Sequence, residues 1–122
     1  MVSLFAFNSM LKQYLYRRDA VKTVQEILHY LKIEDLTQAA RYWEDKKNFV
    51  PMYELTSSKI KNKKFYTEAG MLHAEFIIAL EFPAGNLLPS GEDWILKLKK
   101  SESGWEVVEF YLVKTDALPA PR

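Results

Sequence analysis

The stretch from residue 20 to residue 31 has apolar residues at intervals of three and four, the spacing of one face of an α-helix. Asp19 stands directly before this stripe and can accept backbone N–H bonds at a helix N-terminus, so we predict a helix that begins there. The stripe consists of Ala20, Val21, Val24, Ile27, Leu28 and Leu31. An earlier stripe predicts a separate helix from about Ser3 to Arg17, and it consists of Leu4, Phe7, Leu11, Tyr14 and Leu15.

A third, short helix is predicted after Asp35. Gln38 follows three residues later in a capping-box arrangement, which is typical of a helix start. The inner face of this helix would hold Leu36, Ala39, Ala40 and Trp43. We therefore expect an N-terminal helix in residues 1–18 and two helices in residues 19–45.

After Pro51 the apolar period changes from 3.6 to 2, which indicates β-strands. The clearest strands are predicted at Leu72–Phe82, Asp93–Lys100 and Trp105–Lys114, with a hairpin turn at Ser101–Gly104 between the last two. Two earlier strands are predicted at Tyr53–Lys61 and Lys64–Ala69, joined by a turn at Asn62–Lys63. The sheet would occupy residues 52–114 and a tail residues 115–122.

Helices followed by an unbroken run of strands predict an α+β fold with helices on one face of the sheet. The stretch DAVKTVQEILHYLKIEDLTQAARYW resembles the helical start of the NTF2-like superfamily, and DWILKLKKSESGWEVVEFYL resembles its last hairpin. The resemblance covers residues 19–114 and implies one domain, residues 1–122. It also implies N-terminal helices packed on a strongly curved antiparallel sheet, forming a cone with a pocket. Cystatin-like folds are the main structural alternative.

Composition limits the chemistry. The 122 residues suit a single core, and 17 basic against 16 acidic side chains give a net charge of only +1, which disfavours nucleic acid as a partner. Without cysteine there are no disulfides, thiolate nucleophiles or Cys-type zinc sites. We expect no metal and no cofactor, because the two histidines are far apart and no phosphate-binding loop is present. The compartment stays open, with the cytoplasm slightly favoured.

Candidate acid–base residues are few. The resemblance implies that an enzyme of this kind would use a carboxylate or a His–Asp pair inside the cone. His73 and Glu75 share one strand face, which we interpret as solvated rather than as a pocket pair. Glu109 interrupts an apolar face, and we favour an ion pair with Lys97 or Lys99 over a buried base. Pocket hydroxyls could come from Tyr14, Tyr30, Tyr42 and Tyr53, although tyrosines of this kind more often lie at the edge of a core.

Two surface features point to partners. The last strand is apolar on both faces, with Val108, Phe110 and Leu112 on one and Trp105, Val107, Tyr111 and Val113 on the other. We expect the second set to form an outer-face interface with another copy or another protein. A cluster of lysines could contact phosphate or an acidic partner, or simply be solvated, and it consists of Lys59, Lys61, Lys63 and Lys64.

The favoured function is a non-catalytic ligand-binding or protein-assembly module, for which a small apolar ligand is one candidate. A small cofactor-free acid–base enzyme of the ketosteroid isomerase or dehydratase type is the first alternative. The second is the soluble domain of a membrane-anchored transfer or secretion protein, suggested by the apolar Val2–Leu11 and the basic residues after it. That apolar run is about half the length of a membrane-spanning helix, so we interpret it as an amphipathic first helix and do not expect membrane binding unless an anchor was trimmed.

Overall fold

The computed structural model describes the backbone of residues 2–113 and the side chains of residues 10–113. A long helix α1 (Val2–Lys32) precedes a short helix α2 (Leu36–Ala40) and a single 3-10 turn (Lys46–Asn48). Four antiparallel strands follow, β1 (Ser57–Glu68), β2 (Met71–Glu81), β3 (Glu92–Ser101) and β4 (Gly104–Leu112), and they lie side by side in chain order. The α+β class is confirmed: α1 packs on one face of the sheet.

The sheet is not strongly curled, so the prediction of a strongly curved cone was wrong. Curvature is introduced chiefly by β-bulges, where one extra residue bends a strand. The two central strands pair from His73 and Lys99 to Leu80 and Glu92 without any register shift. Bulges occur only in the pairings of the two edge strands, within the part of the chain that is described.

α1 is one continuous helix, so the predicted break at Asp19 was also wrong. No glycine or proline lies between Val2 and Lys32, and an exposed Asp in a helix interior costs at most about 0.7 kcal/mol relative to Ala. The predicted core stripe is nevertheless buried, with Ala20, Val24, Ile27 and Leu31 fully so. In the described range, α1 does not contain an apolar stretch long enough to cross a membrane.

The helix start at Asp35 is confirmed. An Asp35 side-chain oxygen accepts from the Gln38 backbone N–H at 3.3 Å. α1 ends at Lys32, and Glu34, in the turn between the two helices, has a φ of 60°. α2 is shorter than predicted and stops at Ala40. Trp43 lies beyond it, buried, and its backbone forms a bridge to Val107 of β4.

β1 is a single strand, and the predicted turn at Asn62–Lys63 was wrong. The register shifts between Ile60 and Asn62, which leaves Lys61 as a bulge residue. The true turn lies at Ala69–Gly70, where both residues have positive φ, 54° and 78°. This is the backbone that a two-residue hairpin loop requires.

The strands β2 and β3 confirm the alternation read from the sequence. Their inward side chains fill the space against α1 and include Ala74, Phe76, Ile78, Leu80, Trp94, Leu96 and Leu98, all buried. Every buried residue in the described part of the chain is apolar. The predicted strand end at Lys114 and the tail at 115–122 lie outside the described residues.

A second bulge explains the apolar surplus of β4. Lys97 pairs with Glu109 and Leu98 with Val107, so Val108 has no partner on β3. The alternation therefore shifts by one residue at this point. Trp105 and Val107 point into the core before the bulge, Phe110 does so after it, and Tyr111 is left 40% exposed. The idea that Trp105, Val107, Tyr111 and Val113 form one outward face was wrong, whereas an interface on the outer face stays a prediction.

Candidate functional site

The outer face of the sheet carries a row of alternating charge that crosses all four strands. Lys64 lies opposite Glu75, Glu75 opposite Lys97, and Lys97 opposite Glu109. The Lys64–Glu75 ion pair measures 3.6 Å and the Lys97–Glu109 pair 3.4 Å. The predicted pairing of Glu109 with a neighbouring-strand lysine is confirmed. Burial acts to lower the pKa of Lys97, but Tyr111 and the carboxylates of Glu109 and Glu75 outweigh it and raise that pKa.

His73 lies on the same outer face, one row away from Glu75. Its ring stacks on Tyr66, with centroids 5.3 Å apart and planes 9° from parallel. On β3, His73 lies opposite Lys99. Lys99 forms an ion pair with Glu44, and this contact raises the pKa of Lys99. The face therefore places His73 and Glu75 among cross-strand partners and away from α1. The hollow that Glu75 lines on this face is small, about 100 Å³.

The four candidate pocket tyrosines do not come together. Tyr30 and Tyr42 are neighbours, with ring centroids 6.5 Å apart, and the Tyr42 hydroxyl donates to Glu26 at 2.8 Å. Burial, then this hydrogen bond and the charge of Glu26, raise the pKa of Tyr42 to about 12. Tyr14 and Tyr53 lie elsewhere, 60% and 55% exposed. Tyr42 is thus a fixed hydrogen-bond donor to its own chain.

The N-terminal half of α1 carries an apolar stripe that nothing in the described structure covers. Met10 is 71% exposed, Leu11 45%, Tyr14 60% and Leu15 41%. Met10 and Tyr14, like Leu11 and Leu15, are four residues apart and so lie on one side of the helix. At 3.6 residues per turn, this side is roughly a third of a turn away from the core-facing side of the C-terminal half. We call these four residues the N-terminal stripe; it does not continue the core stripe.

A groove runs along the inner face of the sheet, the face on which α1 packs. It lies between α1 and the edge strand β1. Near its middle, the Arg17 guanidinium lies over the Phe65 ring, 5.1 Å from the centroid. One hollow, of about 560 Å³, lies between the Tyr14–Gln25 turns of α1 and Lys63. A second, of about 380 Å³, lies between the Gln25–Lys32 turns and the pair Ser58 and Ile60. Gln25 lines both hollows, so they form one continuous feature, which we call the α1–β1 groove.

Sequence reasoning missed this groove because it divided both of its walls, placing a break at Asp19 in α1 and a turn at Asn62–Lys63 in β1. The lysine cluster was the one available signal, since Lys63 lies on the groove side of β1. Among the described residues, no three His, Asp or Glu side chains are grouped closely enough to hold a metal ion. No protein-family model, curated protein or solved structure matches this chain.

Proposed function

We propose that this protein is a non-catalytic assembly module that forms a homodimer through the N-terminal stripe of α1. The observation that carries the proposal is the exposure of Met10, Leu11, Tyr14 and Leu15 together on one side of a well-formed helix. Contiguous apolar surface of this kind usually marks an interface. None of these four residues belongs to the core or packs against it.

A second copy of the chain is the partner best suited to this surface. Two identical helices can pack stripe against stripe about a two-fold axis, so that each leucine fills a space left by the other helix. The net charge of +1 creates little repulsion between copies. The stripe residues alternate at three- and four-residue intervals, the spacing of a helix–helix seam.

The outer sheet face is the other surface considered for self-association, and it offers less apolar area. Trp105 and Val107 are buried, and among the remaining members of the predicted set Tyr111 is 40% exposed. The neighbouring charges are already paired within the sheet, as in Lys97 with Glu109. We therefore place the proposed dimer on α1.

The proposal keeps the NTF2-like relationship at the level of element order. A long helix, a short helix capped by Asp35 and a meander ending in the Trp105 hairpin support it, whereas the uncurled sheet does not. The acid–base alternative gains no support from His73, Glu75 or Glu109, since all three face outward and two of them are ion-paired. A small apolar ligand remains a proposal without a located site.

Sedimentation equilibrium of the purified chain tests the dimer. We expect a dimer for the natural sequence, and an apparent dissociation constant raised at least about a hundredfold by Leu11→Asp with Leu15→Asp, because each carboxylate would have to be buried unpaired. Gln13→Asp is the matched control: it adds a carboxylate to the same stretch of helix at an exposed position outside the stripe and should leave the dimer intact.

Tyr111→Asp distinguishes the two surfaces. The proposed α1 interface predicts that this variant stays dimeric. A monomeric natural chain at high concentration would contradict self-association altogether. A dimer that persists in the leucine variant but is lost in Tyr111→Asp would move the interface to the outer sheet face. Far-ultraviolet circular dichroism checks that every variant keeps its helix.

A further inference from the structure

The α1–β1 groove has two walls that differ in kind. One wall is the side of α1 between Tyr14 and Lys32, and the other is the inner face and free edge of β1. Among the described residues β1 pairs with β2 alone, so its other edge presents a row of backbone N–H and C=O groups that no described strand pairs with. Peptides are often recognised by adding a strand to such an edge while side chains of a neighbouring element hold alternate residues.

Positive charge is concentrated in the groove. Its lining includes five basic side chains and no Asp or Glu, and the five are Arg17, Arg18, Lys22, Lys32 and Lys63. None of them forms an ion pair within the described part of the chain. The hollow on the opposite side of α1 is lined by both signs, including Asp19, Glu26 and Glu102. The whole chain has a net charge of only +1, so the positive charge of the groove is a local concentration. It favours an acidic ligand in the groove.

The bulge in β1 limits where a strand can add. Lys61 interrupts the regular pairing, and the uninterrupted part of β1 that adjoins the larger hollow is 62–68. At about 3.3 Å per residue, this stretch matches a peptide of roughly seven residues. Alternate side chains of the added strand would point toward Arg17, Arg18 and Lys63, which lie on the groove side.

We propose that the α1–β1 groove binds an extended acidic peptide segment, which adds to β1 as a fifth strand and places its carboxylates against the five basic side chains. A second copy of β1 is a poor occupant, because it would bring Lys59 and Lys63, which form no ion pair among the described residues, against an already positive groove. This inference goes beyond the proposed dimer and does not rest on it. Tyr14 belongs to both surfaces, whereas Leu11 and Leu15, the residues changed in the dimer test, do not line the groove.

Fluorescence anisotropy with a labelled nine-residue peptide of alternating glutamate and valine tests the proposal. We expect saturable binding that weakens as salt is raised, and no binding of the matching lysine–valine peptide. Reversing one charge, in Arg18→Glu or Lys63→Glu, should weaken binding about tenfold, since it replaces an attraction with a repulsion. Lys59→Glu is the matched control, because it makes the same change on the same strand but outside the groove lining, and it should alter affinity less than twofold.

N-methylation of the peptide tests strand addition without changing the protein. Methyl groups on the alternate amides of one peptide edge should abolish binding, whereas methyl groups on the other edge should leave it intact. Equal binding of both methylated peptides would overturn strand addition. Tighter binding of a labelled single-stranded oligothymidine than of the acidic peptide would assign the groove to nucleic acid instead and overturn the proposal.

The monomeric variant Leu11→Asp with Leu15→Asp separates this inference from the proposed function. Peptide binding should persist in that variant. Loss of the dimer with intact peptide binding would support both proposals. A dimer that forms normally but fails to bind the peptide would overturn the groove proposal alone.

Discussion

Single side chains in the core differ in how well their polar atoms are satisfied. All three tryptophans are buried, yet only Trp105 donates its indole N–H, to the Tyr16 carbonyl at 3.1 Å. The indole nitrogens of Trp43 and Trp94 find no acceptor within the described residues. An N–H buried without a partner costs about 1–3 kcal/mol. The rings therefore stabilise the core through their apolar area, and at two positions against a polar penalty.

Replacing tryptophan by phenylalanine separates the contribution of the apolar ring from that of the indole N–H. Trp94 and Trp105 are both 4% exposed, so Trp94→Phe and Trp105→Phe remove similar buried ring volume. We expect Trp105→Phe to lower the free energy of unfolding by about 1 kcal/mol more, because it alone deletes a hydrogen bond, the one from the indole N–H to the Tyr16 carbonyl. Urea unfolding followed by far-ultraviolet circular dichroism measures the difference. An equal or larger loss for Trp94→Phe would mean that its indole N–H has a partner.

Elements in this fold end and bend where individual residues adopt uncommon backbone conformations. Ala69 has φ of 54° in the β1–β2 turn, a region that costs an L-residue other than Gly, Asn or Asp about 1–2 kcal/mol. Gly70 follows with φ of 78° and accepts this conformation without a Cβ penalty. The hairpin thus has the right residue at its second turn position and a strained one at its first.

Ala69→Asn should relieve that strain. Asn-Gly is the preferred pair for a two-residue turn with two positive φ values, so we expect the free energy of unfolding to rise by roughly 0.5–1 kcal/mol. Ala84→Asn makes the same change in another exposed turn, where φ is not positive, and should have little effect. Thermal melting of both variants measures the effect. A destabilised Ala69→Asn variant would show that the alanine methyl contributes more than the turn conformation costs.

At the scale of the whole molecule, α1 serves two purposes along its length. The buried side chains described on it begin at Ala20, and those from Met10 to Leu15 are all exposed. The C-terminal half covers the sheet and forms a wall of the groove, whereas the N-terminal half presents the stripe proposed for dimerisation. Folding and self-association should therefore be separable along one helix.

A chain that begins at Tyr14 tests this separation. The truncated chain keeps Tyr16, its carbonyl bond to Trp105 and every position that is buried among the described side chains. We therefore expect the free energy of unfolding to change by no more than about 1 kcal/mol. The same chain should be monomeric, since Met10 and Leu11 are gone. Urea unfolding and sedimentation on one preparation give both readings. A large loss of stability would show that residues 1–13 contribute to the core.

Much of the local structure was readable from the chain because it depends on neighbours in sequence. The Asp35 cap needs only the Gln38 N–H three residues on, and the alternation of β2 follows from one buried face. Glu109 could be paired with a lysine of the preceding strand because the hairpin at Ser101–Gly104 sets their register. The α+β order came from the same local signals.

The features that matter for partners depended on tertiary structure. Whether α1 breaks at Asp19 was decided by the sheet beneath it, which buries Ala20 and Val24 on one continuous helix. Bulges at Lys61 and Val108 arise from how a strand meets its neighbour, and no periodicity within the strand contains that information. Sequence alone determined which segments are helix and strand and where apolar residues are in excess. Only the packed structure decided that the excess of β4 belongs to the core, and that uncovered apolar surface and unpaired positive charge lie along α1.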